Sequence, residues 1–541
     1  MVFDIDLHWF TLWLPVFLYA EIHFRIFKAF SRYYKREPEI VADVPHRIGP
    51  GKPLPVVLIV KDAHLYPIYL LSVHLEAFAD LHSRLTLQKS YEGLKIDNNF
   101  WYDMFEWDGS DTWRGEFQVN VKIVYELRGK RKTCVNDNYT LTSHAPFEVF
   151  FDAHALPRQR GWVFGDLHTH SHLSNDQVEF GAPWQVSRTM ARAMELDFIA
   201  STDHSYDLDD RLDTFLINDP ELPKWHLLWQ EVERLNKEDR SFVIIPGEEV
   251  SAGNALQQNV HYLVLNNRHF FPGYGDSAEK WLQTRAQHSI ADILSQLEPN
   301  ALSFASHPDV APPLLQKLLL RRSVWTDADY RLKGLDGVQF WNGDKEQFLR
   351  YGLKAWITLL LDGYALTLVA GNDAHGNFNR FRQIGTPHVS MREHHNEVFG
   401  TVRTAVYTGA DFSLDTVIEA LRHGRVVVTD GPFATFRARQ DSQTYDMGET
   451  MPDDPTTLSV EAISTPTYGK FVSLDVIIGD VTQKHETRRP LVSQSSGSFQ
   501  LSIEKEMGEL PAFGYIRLQA VTQMQDRLFH CFTNPLYIKR A

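Results

Sequence analysis

The sequence of 541 residues is poor in cysteine, with Cys134 and Cys531 as its only thiols. This scarcity excludes a disulfide framework and a cysteine-rich zinc knuckle as organising devices. An excess of positive charge is also missing, since the formal net charge at pH 7 is −15. That balance argues against a general binder of nucleic acid or of anionic membranes. The few thiols fit a reducing compartment, and we expect a cytoplasmic protein.

Motifs of several common enzyme classes are absent from the sequence as well. There is no GxxxxGK phosphate-binding loop and no convincing dinucleotide fingerprint. There is also no GxSxG nucleophile elbow of the serine hydrolases. Any enzymatic chemistry must therefore come from another arrangement of side chains.

A long hydrophobic run is lacking too, although the N-terminus resembles one at first. The apolar part of WFTLWLPVFLYA covers about a dozen residues, whereas a spanning helix needs roughly 20. Pro15 interrupts it, Glu21 and Arg25 follow it, and no signal-peptide cleavage site is present. We expect residues 1–45 to be a helical segment that packs on the protein or a partner. Weak contact with a membrane surface and a true span are the alternatives.

The remaining pattern divides the chain into three regions, as its length leads one to expect. Short alternating runs such as FQVNVKIVYEL predict a β-sandwich-like domain over residues 46–157. Residues 158–432 alternate strand-like and helical stretches, which is typical of a parallel sheet or a β/α barrel. Seven strand-like runs suit a barrel with one unit fewer than the eightfold form. A second β-sandwich-like domain is predicted over residues 433–541.

Metal-type ligands gather at the ends of the predicted strands in the middle region. The run VFGDLHTHSHLSND places two imidazoles on one face at the end of the first strand. TDH, GEE, SHP and NDAH end four later strands, and another strand carries a histidine near its start. Because the carboxyl ends of parallel strands face one mouth, we expect these side chains to converge. They are His168, His170, His204, Glu248, Glu249, His261, His307, Asp373 and His375.

This set of side chains indicates a metal centre. Imidazole and carboxylate without thiolate suit Zn, Mn, Fe or Co. The set is too large for one four-coordinate ion, so we expect two or three divalent transition-metal ions that share bridging carboxylates. Such ions bring the pKa of a bridging water close to neutrality and polarise a substrate oxygen. The sequence therefore predicts a metal-dependent hydrolase that cleaves an ester, carbamate, amide or phosphoester bond of a small molecule.

The motifs DLHTHS, STDH, PGEE, ASHP and GNDAH, in this order, resemble the PHP (polymerase and histidinol phosphatase) family of metallohydrolases. The likeness covers roughly residues 160–380. It implies an α/β fold, a distorted (β/α)7 PHP-type barrel, here flanked by the two β-sandwich-like domains. WNG, EALRHGRVVVTDGP and TNPLYI extend the likeness to the CehA/McbA-like branch, some of whose members resemble hydrolases of carbamate or other ester bonds.

The resemblance implies a role for each matching residue. His168 and His170 match the HxH pair, and Glu249 matches the carboxylate that bridges two metals. Asp373 is expected on the same metal as the pair. The imidazoles that match the remaining ligands are His204, His261, His307 and His375.

One position departs from the family pattern. The family shows SD five residues after the second histidine of HxH, where this sequence has Asn175 followed by Asp176. We expect Asp176 to be the ligand. The alternatives are Glu179 as the ligand, or a third metal that is weak or absent.

Two aspartates lie beside predicted ligands. Asp166 and Asp203 either fix imidazole tautomers or make ordinary hydrogen bonds at strand ends. Asp203 and His204 are also the candidate catalytic residues, since either could shuttle a proton to the leaving group. Two other functions stay open, namely a phosphoesterase of small phosphate esters and a non-catalytic metal-binding scaffold.

Overall fold

A computed structural model describes residues 36–79, 84–108, 113–138, 144–174, 181–275, 284–380, 383–385, 390–392, 397–492 and 497–540. Strands account for 45% of the structure and helices for 15%. Of the N-terminal helical segment predicted over residues 1–45, residues 1–35 lie outside the described residues. In the part of the chain that is described, no helix is both long and apolar enough to cross a membrane.

The first nine strands form two sheets around one apolar core. They are β1 (Glu39–Asp43), β2 (Arg47–Ile48), β3 (Leu54–Lys61), β4 (Ile68–Phe78), β5 (Arg84–Ile96), β6 (Phe100–Trp107), β7 (Gly115–Leu127), β8 (Lys130–Val135) and β9 (Phe147–Phe151). One sheet has the order β1-β3-β6, and the other has the order β2-β9-β7-β4-β5 with β8 on β7. Alternate residues of β7 are buried, so each sheet turns one apolar face to the shared core.

The next thirteen strands contain the predicted site. They are β10 (Trp162–Thr169), β11 (Phe198–Ser201), β12 (Asp210–Arg211), β13 (Thr214–Asn218), β14 (Val243–Gly253), β15 (Asn259–Leu265), β16 (Leu302–Ser306), β17 (Gly337–Asn342), β18 (Thr367–Gly371), β19 (Gln383–Gly385), β20 (Ser390–Arg392), β21 (Arg403–Tyr407) and β22 (Val426–Thr429). β10, β11, β14, β15 and β16 are buried along their length or nearly so. Burial on both faces explains why these strands read as continuous apolar runs.

Ten strands make up the C-terminal part. They are β23 (Phe433–Gln440), β24 (Gln443–Tyr445), β25 (Thr450–Met451), β26 (Thr456–Ile463), β27 (Lys470–Asp480), β28 (His485–Val492), β29 (Gln500–Met507), β30 (Phe513–Met524), β31 (Arg527–Thr533) and β32 (Leu536–Lys539). β24-β23-β26-β29 form a separate sheet.

The helices of the described chain are short, and most of them lie between the strands of the middle region. They are α1 (Trp184–Ala193), α2 (Ser205–Leu208), α3 (Pro223–Glu238), α4 (Ile290–Leu294), α5 (Leu314–Leu319), α6 (Asp327–Tyr330), α7 (Lys345–Gln347), α8 (Leu353–Leu361) and α9 (Leu414–Arg422). A π-helical turn at Phe348–Gly352 precedes α8.

A sheet of 15 strands joins the middle and C-terminal regions. Its main path is β18-β17-β16-β15-β14-β11-β10-β21-β22-β31-β30-β27-β28, and off this path β32 pairs with β30 and β25 pairs with β32. β22 pairs with β31 through Val427, Val428 and Thr429, so the strands that carry the site continue into the C-terminal strands.

The predicted α/β fold with a distorted (β/α)7 PHP-type barrel is wrong. β15 runs antiparallel to both of its neighbours, and an isolated bridge between Thr169 and Ala374 joins β10 to the segment that follows β18. One physical reason is the short connection between β14 and β15. Residues 254–258 between β14 and β15 are too few for the crossover that a parallel pair requires, so the chain turns back. The structure is a strand-rich, multi-sheet fold, while the predicted domain boundaries stay predictions.

Asp43 ties the N-terminal sheets to the segment that follows β18. Its carboxylate accepts hydrogen bonds from the backbone nitrogens of Phe378 at 2.9 Å and Arg380 at 3.0 Å. Burial raises the pKa of Asp43 from 3.8 to about 7, although the nearby Arg380 charge lowers it. The folded chain therefore holds a proton on Asp43 over a range of pH in which the unfolded chain has released it.

We expect this group to make the protein less stable as the pH rises from about 4 to about 7, because the folded state then binds the extra proton. Between pH 5 and pH 8 the loss from Asp43 is on the order of 2 to 3 kcal/mol in the free energy of unfolding. Denaturant unfolding of the wild type and of Asp43→Asn at both pH values measures it. The variant should lose less stability than the wild type, and equal losses would contradict the assignment.

Candidate metal centre

Eight of the predicted ligands lie at one edge of the 15-stranded sheet. Three of them are within strands, namely His168 in β10, Glu249 in β14 and His261 in β15. Because β15 runs antiparallel to β14 and β16, its first residues lie beside the ends of those two strands, which brings His261 to the same edge. The other five follow the ends of β10, β11, β16 and β18, and they are His170, His204, His307, Asp373 and His375.

The imidazoles of the HxH pair converge on Asp373. Nε2 of His168 lies 3.2 Å from Asp373 Oδ1 and 3.3 Å from Glu249 Oε1. Nε2 of His170 lies 3.0 Å from the same Asp373 oxygen and 3.2 Å from Nε2 of His168. One donor atom from each of these four residues lies within 4.8 Å of all the others. This is the spacing of atoms that share one metal ion.

Glu249 links this group to the remaining imidazoles. Its Oε1 lies 2.9 Å from His261 Nδ1 and 3.2 Å from His307 Nε2. Its Oε2 lies 3.1 Å from His204 Nδ1. Two further groups of donor atoms within 4.8 Å of one another are His204, Glu249 and His261, and His170, His204 and His375. The three groups share members, which is what a centre with more than one ion requires.

The electrostatics of the cluster keep its carboxylates ionised. Burial raises the pKa of Glu249, but the His261 and His168 imidazoles hold it well below its usual value. Burial likewise raises the pKa of Asp373, and His168 and His170 outweigh it in the same way. Burial lowers the pKa of His168, yet Asp373 and Glu249 raise it to about 10. Ionised carboxylate is the form that binds a metal ion.

The donor atoms fit cations better than they fit one another. Nδ1 of His204 and Oε2 of Glu249 are buried and face each other, and neither makes a hydrogen bond of good geometry within the described chain. Buried polar atoms of native proteins normally have such a partner. Imidazole nitrogens and carboxylate oxygens are also the ligands that zinc, manganese and iron accept. The residues present therefore fit a centre of divalent transition metals.

The backbone at the cluster is strained at two of the predicted ligands. His307 has a φ of 28° and Asp373 a φ of 54°, a region that residues other than glycine seldom adopt. Gly371, two residues before Asp373, lies so close to His168 that an added Cβ would meet the Cβ of that histidine at 2.6 Å. Strained and tightly packed backbone of this kind is concentrated at functional sites.

Three polar side chains that the sequence analysis missed orient the predicted ligands. Oε1 of Gln339 lies 3.0 Å from His168 Nδ1, which directs the other ring nitrogen of His168 into the cluster. Ser306 Oγ donates to Glu249 Oε1 at 2.8 Å, and Ser174 Oγ lies 3.2 Å from His170 Nδ1. A signal for Gln339 was present, because it is a polar residue in the otherwise apolar strand run GVQFW.

We expect Gln339→Leu to weaken metal binding about 10- to 100-fold, because His168 loses the acceptor that fixes its tautomer and ring orientation. Competition against a chelator of known affinity measures the change. The matched control is Gln440→Leu. Gln440 is a buried glutamine at the end of β23, far along the chain from the cluster, and its amide donates to the Pro452 carbonyl. The interpretation fails if both variants bind metal as the wild type does.

Asp203 contacts the backbone of the loop that follows His170. Its Oδ1 accepts hydrogen bonds from the nitrogens of Ser171 at 2.7 Å and Ser174 at 3.1 Å, and its Oδ2 accepts one from Ser201 Oγ at 2.8 Å. Its carboxylate thus holds the loop that carries Ser174, and its proton-shuttle role stays a prediction. Asp166 likewise accepts hydrogen bonds from backbone nitrogens and from an asparagine amide.

Two predicted residues fall outside the described part of the chain, and one neighbouring histidine is not part of this cluster. Asp176, the expected ligand of a third ion, and its alternative Glu179 lie outside the described residues. His172 packs between aromatic rings, with its centroid 5.4 Å from Phe100 and 5.0 Å from Trp184. Of the three histidines in the run HTHSH, the first two therefore serve the cluster and the third serves packing.

Comparisons with known proteins give little similarity. No protein-family profile matches the chain, and no curated protein sequence matches it. A solved putative β-galactosidase from Bacteroides fragilis matches at 10% identity over 92% of this chain and 73% of that chain, with a TM-score of 0.19. A glycosyl hydrolase family 2 member from Bacteroides cellulosilyticus matches at 11% identity over 94% and 63%, with a TM-score of 0.15. A Parabacteroides merdae β-glucuronidase matches at 7% identity over 93% and 64%, with a TM-score of 0.18.

These comparisons correct the family assignment made from the motifs. TM-scores below 0.2 support neither a shared fold nor a shared activity with those three enzymes. The chain also covers less than two thirds of the length of the last two. No match connects the chain to the PHP family or to its CehA/McbA-like branch, so that assignment is wrong, and the phosphoesterase activity that came with it is not retained. The cluster of side chains remains as the basis for a function.

Proposed function

We propose that the chain is a metal-dependent hydrolase whose cluster holds at least two divalent transition-metal ions. One observation carries the proposal. The two oxygens of the buried Glu249 carboxylate lie 3.3 Å or less from ring nitrogens of four histidines, and these come from four segments distant in sequence. A buried carboxylate surrounded by imidazoles is a typical bridging ligand of a metal centre. The four histidines are His168, His204, His261 and His307.

The residues of the cluster have different proposed roles, as ligands of one ion, as ligands of the other, or as orienting groups. His168, His170 and Asp373 would hold one ion, and Glu249 would link it to a second that the other imidazoles hold. Such ions, when bound, lower the pKa of a water molecule and polarise a substrate carbonyl. Gln339 and Ser306 fix the orientation of His168 and Glu249.

The remaining step is proton return to the leaving group, and His204 is the better supported of the two candidates. Three donors already engage the Asp203 carboxylate, so the proton would come from His204, on the ring nitrogen that does not bind an ion. We propose an ester, carbamate or amide of a small molecule as the substrate, because a polarised carbonyl is the common feature of these bonds. A serine or cysteine nucleophile is not needed.

The test is metal content together with turnover. The purified protein is stripped with a chelator, reloaded with zinc, manganese or iron, and assayed by elemental analysis and with a panel of 4-nitrophenyl esters, carbamates and 4-nitroanilides. Two or three ions per chain and metal-dependent release of nitrophenol or nitroaniline support the proposal. A folded protein that takes up no metal overturns it. Metal uptake without turnover of any panel member would overturn the hydrolase and favour a metal-binding scaffold.

A further inference from the structure

We propose that the side-chain amide of Asn342 donates a hydrogen bond to the carbonyl oxygen of the substrate and stabilises the negative charge that this oxygen gains during hydrolysis. The inference rests on the proposed function and adds a catalytic residue to the same site. Asn342 is the last residue of β17, which runs parallel to β16 and β18 and lies between them. His307 directly follows β16, and Asp373 comes two residues after β18. Asn342 therefore lies between the segments that carry two of the predicted ligands.

A chain of hydrogen bonds determines which end of the Asn342 amide is occupied. Because Nε2 of His168 faces the carboxylates of the cluster, its Nδ1 carries a hydrogen and donates to Gln339 Oε1 at 3.0 Å. Gln339 then turns its own nitrogen to Asn342, and Nε2 donates to Asn342 Oδ1 at 2.8 Å. The Asn342 amide nitrogen makes no hydrogen bond to any described residue. The ligand His168 thus orients this amide through Gln339 and leaves its N–H groups available.

The packing places the Asn342 side chain on the same face of the sheet as the cluster. Asn342 is paired with Gly371 in the register of β17 and β18. A Cβ added at Gly371 would meet the Cβ of His168 at 2.6 Å and Nε2 of Gln339 at 2.9 Å, so this position faces His168. Asn342 contacts the same Gln339 nitrogen, and its side chain therefore lies on that face as well. Asn342 is half-buried, so the protein holds its amide at an edge that a small molecule can reach.

The turn that follows β17 does not use this side chain. The Asn342 backbone carbonyl accepts a hydrogen bond from the Asp344 nitrogen at 2.6 Å, and the Gly343 nitrogen donates to the Gly371 carbonyl at 2.9 Å. An asparagine that stabilises a turn uses its side-chain oxygen for a bond to the backbone two residues on. Here the backbone makes that bond, and turn formation leaves the amide nitrogen unexplained.

Carbonyl hydrolysis needs a donor of this kind. When water adds to a carbonyl carbon, negative charge accumulates on the carbonyl oxygen, and a fixed N–H group that points at this oxygen stabilises the transition state. An amide is neutral, so it supplies the hydrogen bond without changing the charge of the ligand set. Loss of one such donor typically lowers kcat about 100- to 1,000-fold.

The experiment compares the metal-loaded wild type with Asn342→Asp, Asn342→Ala and the control Asn300→Asp. Asn342→Asp keeps an oxygen for Gln339 and loses only the N–H donor, whereas Asn342→Ala loses both. Asn300→Asp makes the same change at an exposed residue before β16, at the end of that strand remote from the cluster. We expect Asn342→Asp to keep its metal and to lose about 100-fold or more in kcat on the 4-nitrophenyl esters, with little change in KM. Asn300→Asp should match the wild type.

A second measurement tests the contact with the carbonyl oxygen itself. Wild type and Asn342→Ala are assayed with a 4-nitrophenyl ester and with its thiono analogue, in which sulfur replaces the carbonyl oxygen. Sulfur is a weak hydrogen-bond acceptor, so the donor helps the ester more than the thionoester. We expect the ratio of the two kcat/KM values to fall about 10-fold or more in Asn342→Ala, the usual size of a hydrogen bond to a charged group.

Metal content is measured first on every protein, which separates the two proposals. A wild type that takes up no metal overturns the proposed function, and the role of Asn342 with it. Wild-type metal content together with wild-type kcat in Asn342→Asp overturns the role of Asn342 and leaves the hydrolase intact. Loss of metal from Asn342→Asp, or an equal preference for the ester in wild type and Asn342→Ala, also overturns it. The side chain would then act only by orienting the ligands through Gln339.

Discussion

Replacing both members of the HxH pair, His168→Ala with His170→Ala, is expected to remove at least one metal ion per chain and to reduce hydrolysis to the uncatalysed rate. Both Nε2 atoms lie within 3.2 Å of Asp373 Oδ1, and both rings are almost fully buried. Alanine supplies no donor atom, and water cannot replace two nitrogens without leaving the ion weakly held. Elemental analysis, the ester panel and circular dichroism measure metal, activity and folding on one preparation.

The sequence itself offers the matched control for this experiment. His172 belongs to the same HTHSH run, but its ring packs against Phe100 and Trp184. His172→Ala should cost stability through lost packing and keep the full metal content. Unchanged metal content in the double variant would rule out the ligand assignment.

The second large effect is expected for Glu249→Gln, which should leave less than one ion per chain. The Glu249 carboxylate is the member that joins the imidazoles of His261, His307 and His204 to the HxH pair. An amide keeps the shape, removes the negative charge and turns N–H donors towards ring nitrogens. Hydrolysis should fall by at least about a thousandfold, a small part of the acceleration that enzymes typically give.

Glu248→Gln is the control, because it makes the same chemical change one residue earlier. Glu248 points away from the cluster, accepting hydrogen bonds from Ser205 Oγ at 2.7 Å and from the Phe271 nitrogen at 3.0 Å. Burial raises the pKa of Glu248 to about 8, so its carboxyl is largely neutral at pH 7 and glutamine resembles it. The control should keep its metal. Equal loss of metal from both variants would show that the effect comes from disturbing β14 rather than from removing a ligand.

The sequence was informative about the candidate site because the predicted ligands lie at or near strand ends. Strand-like runs that stop at HTH, TDH, SHP or NDAH name the side chains that the structure brings together. The orienting residues were missed, because Gln339, Ser306 and Ser174 act through distances between remote segments that no local pattern contains.

The fold was predicted less well than the site. Alternation of strands and helices favours parallel strands, so it did not predict that β15 runs antiparallel to its neighbours after the short 254–258 connection. The pairing of β22 with β31 joins residues about 100 positions apart. Hydrophobic periodicity predicts local elements and does not predict which distant strands pair. The region predicted as a barrel and the predicted C-terminal domain therefore share one sheet.

The shared sheet determines where the chain can be truncated. A fragment that stops at residue 432 would leave β22 with a row of unpaired N–H and C=O groups where β31 had covered them. Bare strand edges of this kind recruit other chains and promote aggregation. Since β22 borders β21, which borders β10 with His168, the C-terminal strands cover the open edge of the region that carries the histidine cluster.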